Sequence, residues 1–285
     1  MKKEFRLFGF TIPTKKFIIT MLLAAAVYMF LLGLDLLGVQ ISWYGIFIGT
    51  GFILAVVISS ELTKERGLYK DLPYDLIWLV FPFAIIGARI FYVMNSPHEF
   101  DGFVEMLKVW EGGLSIYGGI VGGILAVVLF TTLKHIHTVK TMDVLAPVLI
   151  LGQSIGRWGN FVNQEVYGFE ITTNWLKWFP FGVQVDGTWH LATFFYESVL
   201  NLIGFFVLVA ILRKSKKTGI VAFTYFVWYG TVRLFLESLR VEQYILYIPG
   251  TTIQFSSLVS MLMIVTGVAG LVAIYLLNKN KEAKK

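Results

Sequence analysis

Cysteine is absent from this 285-residue chain, which excludes disulfides, thiolate metal sites and a cysteine nucleophile of the protein's own. Charge is scarce: 15% of residues are Asp, Glu, Lys or Arg, where a soluble domain carries about 25%. No Ser-His-Asp order, metal-ligand spacing, phosphate loop, internal repeat or low-complexity tract is present, and no stretch reads as a soluble domain. What fills the chain is apolar. Hydrophobic residues make up 56% of it, the mean hydropathy is +0.72, and several runs approach the ~20 residues that cross a ~30 Å hydrocarbon core. The net charge of +6 does not indicate nucleic acid, because the basic residues lie in short loops between apolar segments. The expected class is an all-α polytopic membrane protein.

Hydrophobic periodicity places spans near 17–38, 43–60, 75–94, 114–133, 142–157, 192–212, 219–240 and 256–277. The segment 142–157, bounded by Asp143 and Arg157, is short enough to predict a tilted or irregular span. Cations concentrate in alternate loops: before the first span, after the second, fourth and sixth, and at the C-terminus, which together hold 18 of the 24 Lys and Arg. The positive-inside rule then puts both termini in the cytoplasm. Arg89, Arg157, Arg233 and Arg240 break that pattern, lying within or at the outer ends of spans. An arginine at mid-bilayer costs about 2.5–3.5 kcal/mol on insertion scales, so an intramembrane charge is a functional hypothesis by default. Four of them on one side call for an external anionic partner, and phospholipid headgroups fit. Two outer segments, 95–113 and 158–191, are long, and the second carries Trp158, Trp175, Trp178 and Trp189. Both are expected to be interfacial, with room for short amphipathic helices.

Three stretches concentrate polar chemistry. Gly156-Arg157-Trp158-Gly159-Asn160-Phe161-Val162-Asn163-Gln164-Glu165-Val166-Tyr167-Gly168 ends an apolar run. Arginine offers phosphate a planar fork of donors, and glycine lets backbone approach closely. A polar helix cap accounts for an Asn and a Gly there but not for Arg157 with Glu165 eight residues on. Arg233, Glu237 and Arg240 follow spacings of four and three, hence one helix face. An internal salt bridge needs only one of those arginines, which leaves excess positive charge for a ligand. Gly112 to Gly123 opens the fourth span, and Gly118 with Gly122 and Gly119 with Gly123 repeat the small-xxx-small spacing of tight helix packing.

The thirteen-residue string closely resembles the signature of the prolipoprotein diacylglyceryl transferase family, and other motifs extend the resemblance from about Ser42 to Leu277. The Arg-x-x-x-Glu-x-x-Arg pattern at Arg233, Glu237 and Arg240 is similar to one in the family's penultimate span. Trp43-Tyr44-Gly45 matches the start of the corresponding span, which moves Tyr44 from an interfacial aromatic toward a substrate contact. Arg89, in Gly87-Ala-Arg-Ile-Phe-Tyr92, resembles the family's Gly-Arg-x-x-Tyr segment and reads either as a headgroup contact or as a structural pair to Glu197 or Asp143. Tyr196-Glu197 also matches, although the family's preceding His-Pro pair is missing and His190 is displaced by one. Where the family motif often has histidine, this chain has Tyr117. An unperturbed phenol has a pKa near 10, so a positioning role is expected over that of general base.

The resemblance implies transfer of the sn-1,2-diacylglyceryl group from phosphatidylglycerol to the lipobox cysteine thiol of a preprolipoprotein, giving a thioether and glycerol 1-phosphate. Arg157, Arg233, Tyr117, Glu165, Asn160 and Glu237 are the expected catalytic group. Arg157, Tyr44, Asn160, Arg233, Arg240, Gly168 and Arg89 are the expected phosphatidylglycerol contacts. Glu165 or Glu237 would fix an arginine or accept the thiol proton, and no metal or cofactor is called for. Expected partners are phosphatidylglycerol, the preprolipoprotein signal peptide and membrane lipids. The expected location is the bacterial cytoplasmic membrane, with the site toward the outer face. By domain, 1–41 is a basic leader with an extra N-terminal helix, 42–277 the seven-helix transferase domain and 278–285 a basic cytoplasmic tail. A signal peptide is the alternative for the extra helix, but no small-x-small cleavage site follows it. The rival functional class, a transporter or flippase of an anionic lipid or solute, favours internal repeats and mid-span charges; neither is seen in the sequence.

Overall fold

The computed structural model describes residues 4–7, 10–13, 43–69, 71–109, 112–241, 247, 248 and 250–282. Among them are seven helices long and apolar enough to cross a membrane: α1 (Trp43–Glu65), α2 (Leu72–Asn95), α3 (Ile116–Leu133), α4 (Thr138–Val162), α5 (Thr193–Lys214), α6 (Ile220–Glu237) and α7 (Phe255–Glu282). The extra helix expected over 17–38 lies outside the described residues. In the leader, β1 (Glu4–Leu7) pairs antiparallel with β2 (Phe10–Pro13).

The helices alternate in direction, and their main packing partners are α2 with α3, α6 with α7, and α4 with both α1 and α5. The α2–α3 contact shows how composition sets geometry. A Cβ on Gly118 would strike the Gly87 carbonyl and Phe91, and one on Gly122 would strike the Phe83 carbonyl. Backbone therefore meets backbone, as small-xxx-small spacing implies. The second expected pair does not act this way: Gly119 has only ordinary contacts and Gly123 faces open space. The largest apolar core joins α1, α4, α5 and α6 around Leu62, Val144, Ile150, Leu208 and Val221. Elsewhere the helices turn Ile53, Phe81, Ile86, Leu125, Leu262 and Val265 outward, as lipid contact requires.

The span expected at 142–157 is longer than that. The α4 helix runs from Thr138 to Val162, because both bounding charges are met inside the protein. Asp143 is fully buried, and its carboxylate accepts hydrogen bonds from the backbone N–H groups of Gly219, Val221 and Ala222 at 2.7–3.0 Å. It thus serves the unpaired donors at the start of α6 from a neighbouring helix. Arg157 is met by a carboxylate on α5.

The all-helical expectation holds for the spans but not for the segment 158–191. Part of it folds as a hairpin, β3 (Gly182–Val185) paired with β4 (Thr188–Leu191). Asp186 and Gly187, both at positive φ (47° and 82°), make the two-residue turn, the arrangement an Asp-Gly dipeptide favours. Segment 95–113 carries a 3-10 turn at Pro97–Glu99 and a single helical turn at Phe103–Met106.

Candidate active site

One end of the bundle brings together the last turns of α4 and α6 with the first turns of α3, α5 and α7. Arg157, near the end of α4, places Nη2 2.8 Å from Oε1 of Glu197, one turn into α5. Its Nη1 donates to Asn160 Oδ1 at 3.2 Å, and Tyr229 of α6 also reaches the guanidinium. Arg233 on α6 lies 3.8 Å from Oε2 of Glu197 and 2.8 Å from Oε2 of Glu237. Arg240 reaches the same two oxygens at 3.6 and 3.3 Å. Ser256, on the first turn of α7, donates to Glu237 Oε1. Three guanidiniums thus surround two carboxylates, each of which is 2% exposed.

Exposure separates the three arginines. The Arg157 and Arg233 side chains are 19% and 15% exposed, Arg240 only 7%. The first two can meet a ligand, whereas Arg240 faces the carboxylates. Burial, then the charges of Arg233 and Arg157, lower the Arg240 guanidinium to about 10, so it is a cation at neutral pH.

The chain after α4 is shaped to present Glu165. Gln164 and Val166 both adopt positive φ (51° and 57°), a conformation a β-branched residue takes only where its surroundings impose it. The Glu165 N–H donates to the Asn160 carbonyl at 2.9 Å. The Glu165 carboxylate accepts from Asn160 Nδ2 at 3.0 Å and from Asn163 Nδ2 at 3.3 Å. Asn160 therefore links Arg157 to Glu165. Glu165 is half-buried, unlike Glu197 and Glu237, and it lines a small pocket with Asn160, Gln164, Tyr167 and the hairpin's Val183 and Val185.

Gly168 acts through its backbone. Its N–H donates to the Leu191 carbonyl, it bridges Arg240, and the next N–H, of Phe169, donates to Leu239. A Cβ at this position would stand 2.7 Å from the Leu239 carbonyl. Only glycine permits that approach, which fixes the backbone carrying Arg240. The α6 helix itself stops at Glu237, so Arg240 rejoins its face from a turn beyond the helix.

Tyr117, second residue of α3, is half-buried with its ring edge-on to Phe255, centroids 4.6 Å apart. Its phenol is near enough to Arg233, Glu237 and Arg240 to feel their charges. Tyr44 sits in the first turn of α1. Arg89 stands in a different set of contacts: its nitrogens donate to backbone carbonyls of the segment 105–113, and neither Glu197 nor Asp143 is its partner. The expected pairing is corrected on this point. Glu197, read from sequence as part of a family-like Tyr-Glu pair and as a partner for Arg89, proves to be the centre on which all three site arginines converge. Its signal was available as a carboxylate four residues into an apolar span. A reciprocal pair one turn deeper locks α4 to α5 beneath it, Ser154 donating to the Ser198 carbonyl and Ser198 to the Ser154 carbonyl, at 2.7 and 2.9 Å.

The sequence model of the prolipoprotein diacylglyceryl transferase family matches residues 32–273 of the chain. This protein belongs to that family. Among its relatives, the phosphatidylglycerol–prolipoprotein diacylglyceryl transferase of Enterococcus faecalis is 37% identical over 265 residues, covering 88% of this chain and 94% of the relative. The enzyme of the same name from Halalkalibacterium halodurans is 37% identical over 232 residues, 79% of each chain. That of Ligilactobacillus salivarius is 35% identical over 241 residues, 81% of this chain and 88% of the relative. The family match takes in the whole arginine–glutamate cluster, from Tyr117 on α3 to Ser256 on α7.

Proposed function

We propose that this transferase moves the sn-1,2-diacylglyceryl group of phosphatidylglycerol onto the lipobox cysteine thiol of a preprolipoprotein. The observation that carries the reading is the convergence of Arg157, Arg233 and Arg240 on two buried carboxylates at one end of a membrane bundle. Three cations against two anions leave one positive charge for a bound phosphodiester. Membership of the family, and the printed names of its relatives, supply the substrates.

The thiol sulfur attacks the glycerol carbon that bears the phosphate. A C–S bond forms, the C–O bond breaks with its electron pair going to the phosphate oxygen, and the thiol proton leaves. The products are a thioether and glycerol 1-phosphate, whose phosphate has gained a negative charge. Fixed guanidiniums beside that oxygen stabilise the transition state most where water is excluded. Arg157 and Arg233, the accessible pair, bind the phosphate and the leaving oxygen. Glu197 and Glu237 hold their guanidiniums in place, and Arg240 backs both carboxylates. Asn160 and the Tyr117 hydroxyl orient the headgroup, with Tyr44 as a further contact. Glu165, the accessible carboxylate, accepts the thiol proton. Glu237 is buried, ion-paired to Arg233 and Arg240, accepts from Ser256 and is the arginine anchor instead. Gly168 serves by shaping backbone. The cation-rich end, with Lys64, Lys134, Lys140 and Lys214, faces the cytoplasm. The site then opens toward the outer leaflet of a bacterial cytoplasmic membrane.

Purified protein in detergent, given phosphatidylglycerol and a lipobox-cysteine peptide, should increase the peptide mass by one diacylglyceryl group and release glycerol 1-phosphate in equal amount. Unchanged peptide, alongside phosphatidylglycerol crossing a reconstituted bilayer, would favour a flippase and overturn the reading.

A further inference from the structure

Arg89 is 7% exposed in the last third of α2, yet no carboxylate neutralises it in the salt bridges of the described residues. Its Nε donates to the Met106 carbonyl at 2.8 Å and its Nη2 to that of Glu105 at 2.8 Å. Its Nη1 is shared between the carbonyls of Gly112 (2.7 Å) and Gly113 (3.1 Å). The Phe100 ring closes one side, 4.8 Å from Cζ. A planar fork is the one side-chain group able to meet four carbonyls in this way, and an ammonium is a single point charge. With every nitrogen occupied, Arg89 has little left for a headgroup. Its work is to gather backbone.

What it gathers leads straight to the site. Gly112 and Gly113 hold positive φ (93° and 66°), so the chain turns sharply there. Two residues on, the Ser115 N–H donates to the carbonyl of Ala88, the residue before Arg89. The α3 helix then begins at Ile116, and Tyr117 is its second residue. The Tyr117 ring lies between Phe91, two residues after Arg89 on α2, and Phe255, which precedes the Ser256 that donates to Glu237. Each link from Arg89 to the Arg233–Glu237 pair is therefore a hydrogen bond, a packed ring or a few residues of backbone. The Gly113 position shows how little slack exists: a Cβ there would stand 2.5 Å from Arg89 Nη1 and 2.9 Å from the Tyr92 ring.

We propose that Arg89 is a positioning residue for the transfer reaction, fixing the start of α3 through the Gly112 and Gly113 carbonyls and thereby the place of Tyr117 against Phe255 at the edge of the Arg233–Glu237 pair. The kinetic arm rests on the transferase reading above; the geometric arm does not.

The geometric arm places 3-fluorotyrosine at position 117 and records its 19F resonance in wild type and in Arg89→Lys. A shifted or broadened resonance supports the proposal even in a preparation that shows no transfer. An unmoved resonance overturns it even in an active one, and the two failures are thus separable. The kinetic arm compares Arg89→Lys, Tyr117→Phe and the double variant at matched folded fraction. Arg89→Lys should lower kcat about tenfold while leaving KM for phosphatidylglycerol within about twofold, the pattern of lost transition-state positioning. The double variant should be no slower than the slower single one, because both changes break the same link. Multiplying effects, or a raised KM at unchanged kcat, would show that Arg89 acts independently of Tyr117 or binds the headgroup itself. Gly113→Ala, which crowds the guanidinium without altering its charge, should reproduce the Arg89→Lys kinetics. Wild-type kcat in that variant counts against the proposal.

Discussion

Replacing Glu197 with Gln removes one negative charge from the centre of the site at almost constant shape. In the wild type this carboxylate is 2% exposed and lies 2.8 Å from Arg157, 3.8 Å from Arg233 and 3.6 Å from Arg240. The amide leaves Arg157 without its carboxylate partner and Arg233 and Arg240 with Glu237 alone, and turns an NH2 group toward some of them. Removing one partner of a buried ion pair costs about 3–5 kcal/mol. The Ser154–Ser198 pair and the surrounding helix packing hold the backbone, so much of that cost falls on guanidinium placement. If about 2.7 kcal/mol of it appears in the barrier, kcat falls about a hundredfold. Binding should move the other way. With net positive charge increased, the site should hold glycerol 1-phosphate more tightly, so product inhibition strengthens as turnover collapses. The assay is peptide diacylglycerylation at saturating phosphatidylglycerol, normalised to folded protein, with glycerol 1-phosphate titrated as inhibitor. A kcat within about threefold of wild type, too small a loss for transition-state placement, would refute the reasoning, as would weaker inhibition.

Arg157→Lys and Arg233→Lys keep charge but lose the fork, and each should slow turnover at least tenfold, about 1.4 kcal/mol in barrier, at matched expression. Tyr117→Phe should reduce activity yet leave the shape of the pH–rate profile intact, since the phenol positions substrate and transfers no proton; a profile displaced by more than about two units in Tyr117→His would contradict that. Asp143→Ala strips the acceptor from three buried N–H groups of α6. At about 1–3 kcal/mol for each donor left unpaired, the thermal midpoint in detergent should drop sharply. Gly118→Ala should also lower it, because the new methyl meets the Gly87 carbonyl and Phe91; Gly123→Ala, facing open space, is the silent comparison.

The seven spans of the described residues were legible because apolar run length is local. The Arg157–Asn160–Glu165 and Arg233–Glu237–Arg240 groups were legible for the same reason, each lying within one short stretch. Partners across helices were not. Glu197 lies 40 residues beyond Arg157 and 36 before Arg233, and no periodicity ties such positions together. A charged residue also looks the same in sequence whether a carboxylate or four backbone carbonyls satisfy it, which is why Arg89 read as either a headgroup contact or a partner for Glu197 or Asp143. The length of α4 was masked by Asp143 and Arg157, whose charges suggest helix ends until their buried partners are seen. The β3–β4 hairpin had a readable signal in Asp186-Gly187, overshadowed by the tryptophans of an interfacial segment.

A structure with phosphatidylglycerol bound shows whether the arginine cluster is the phosphate site. The phosphate should lie between Arg157 and Arg233, with guanidinium nitrogens about 2.7–2.9 Å from its oxygens as in charge-assisted pairs and Glu197 still holding Arg157. A phosphate seated at Arg89, or at the lysine-rich end of the bundle, with the Arg157–Glu197–Arg233 group unoccupied, would contradict the account.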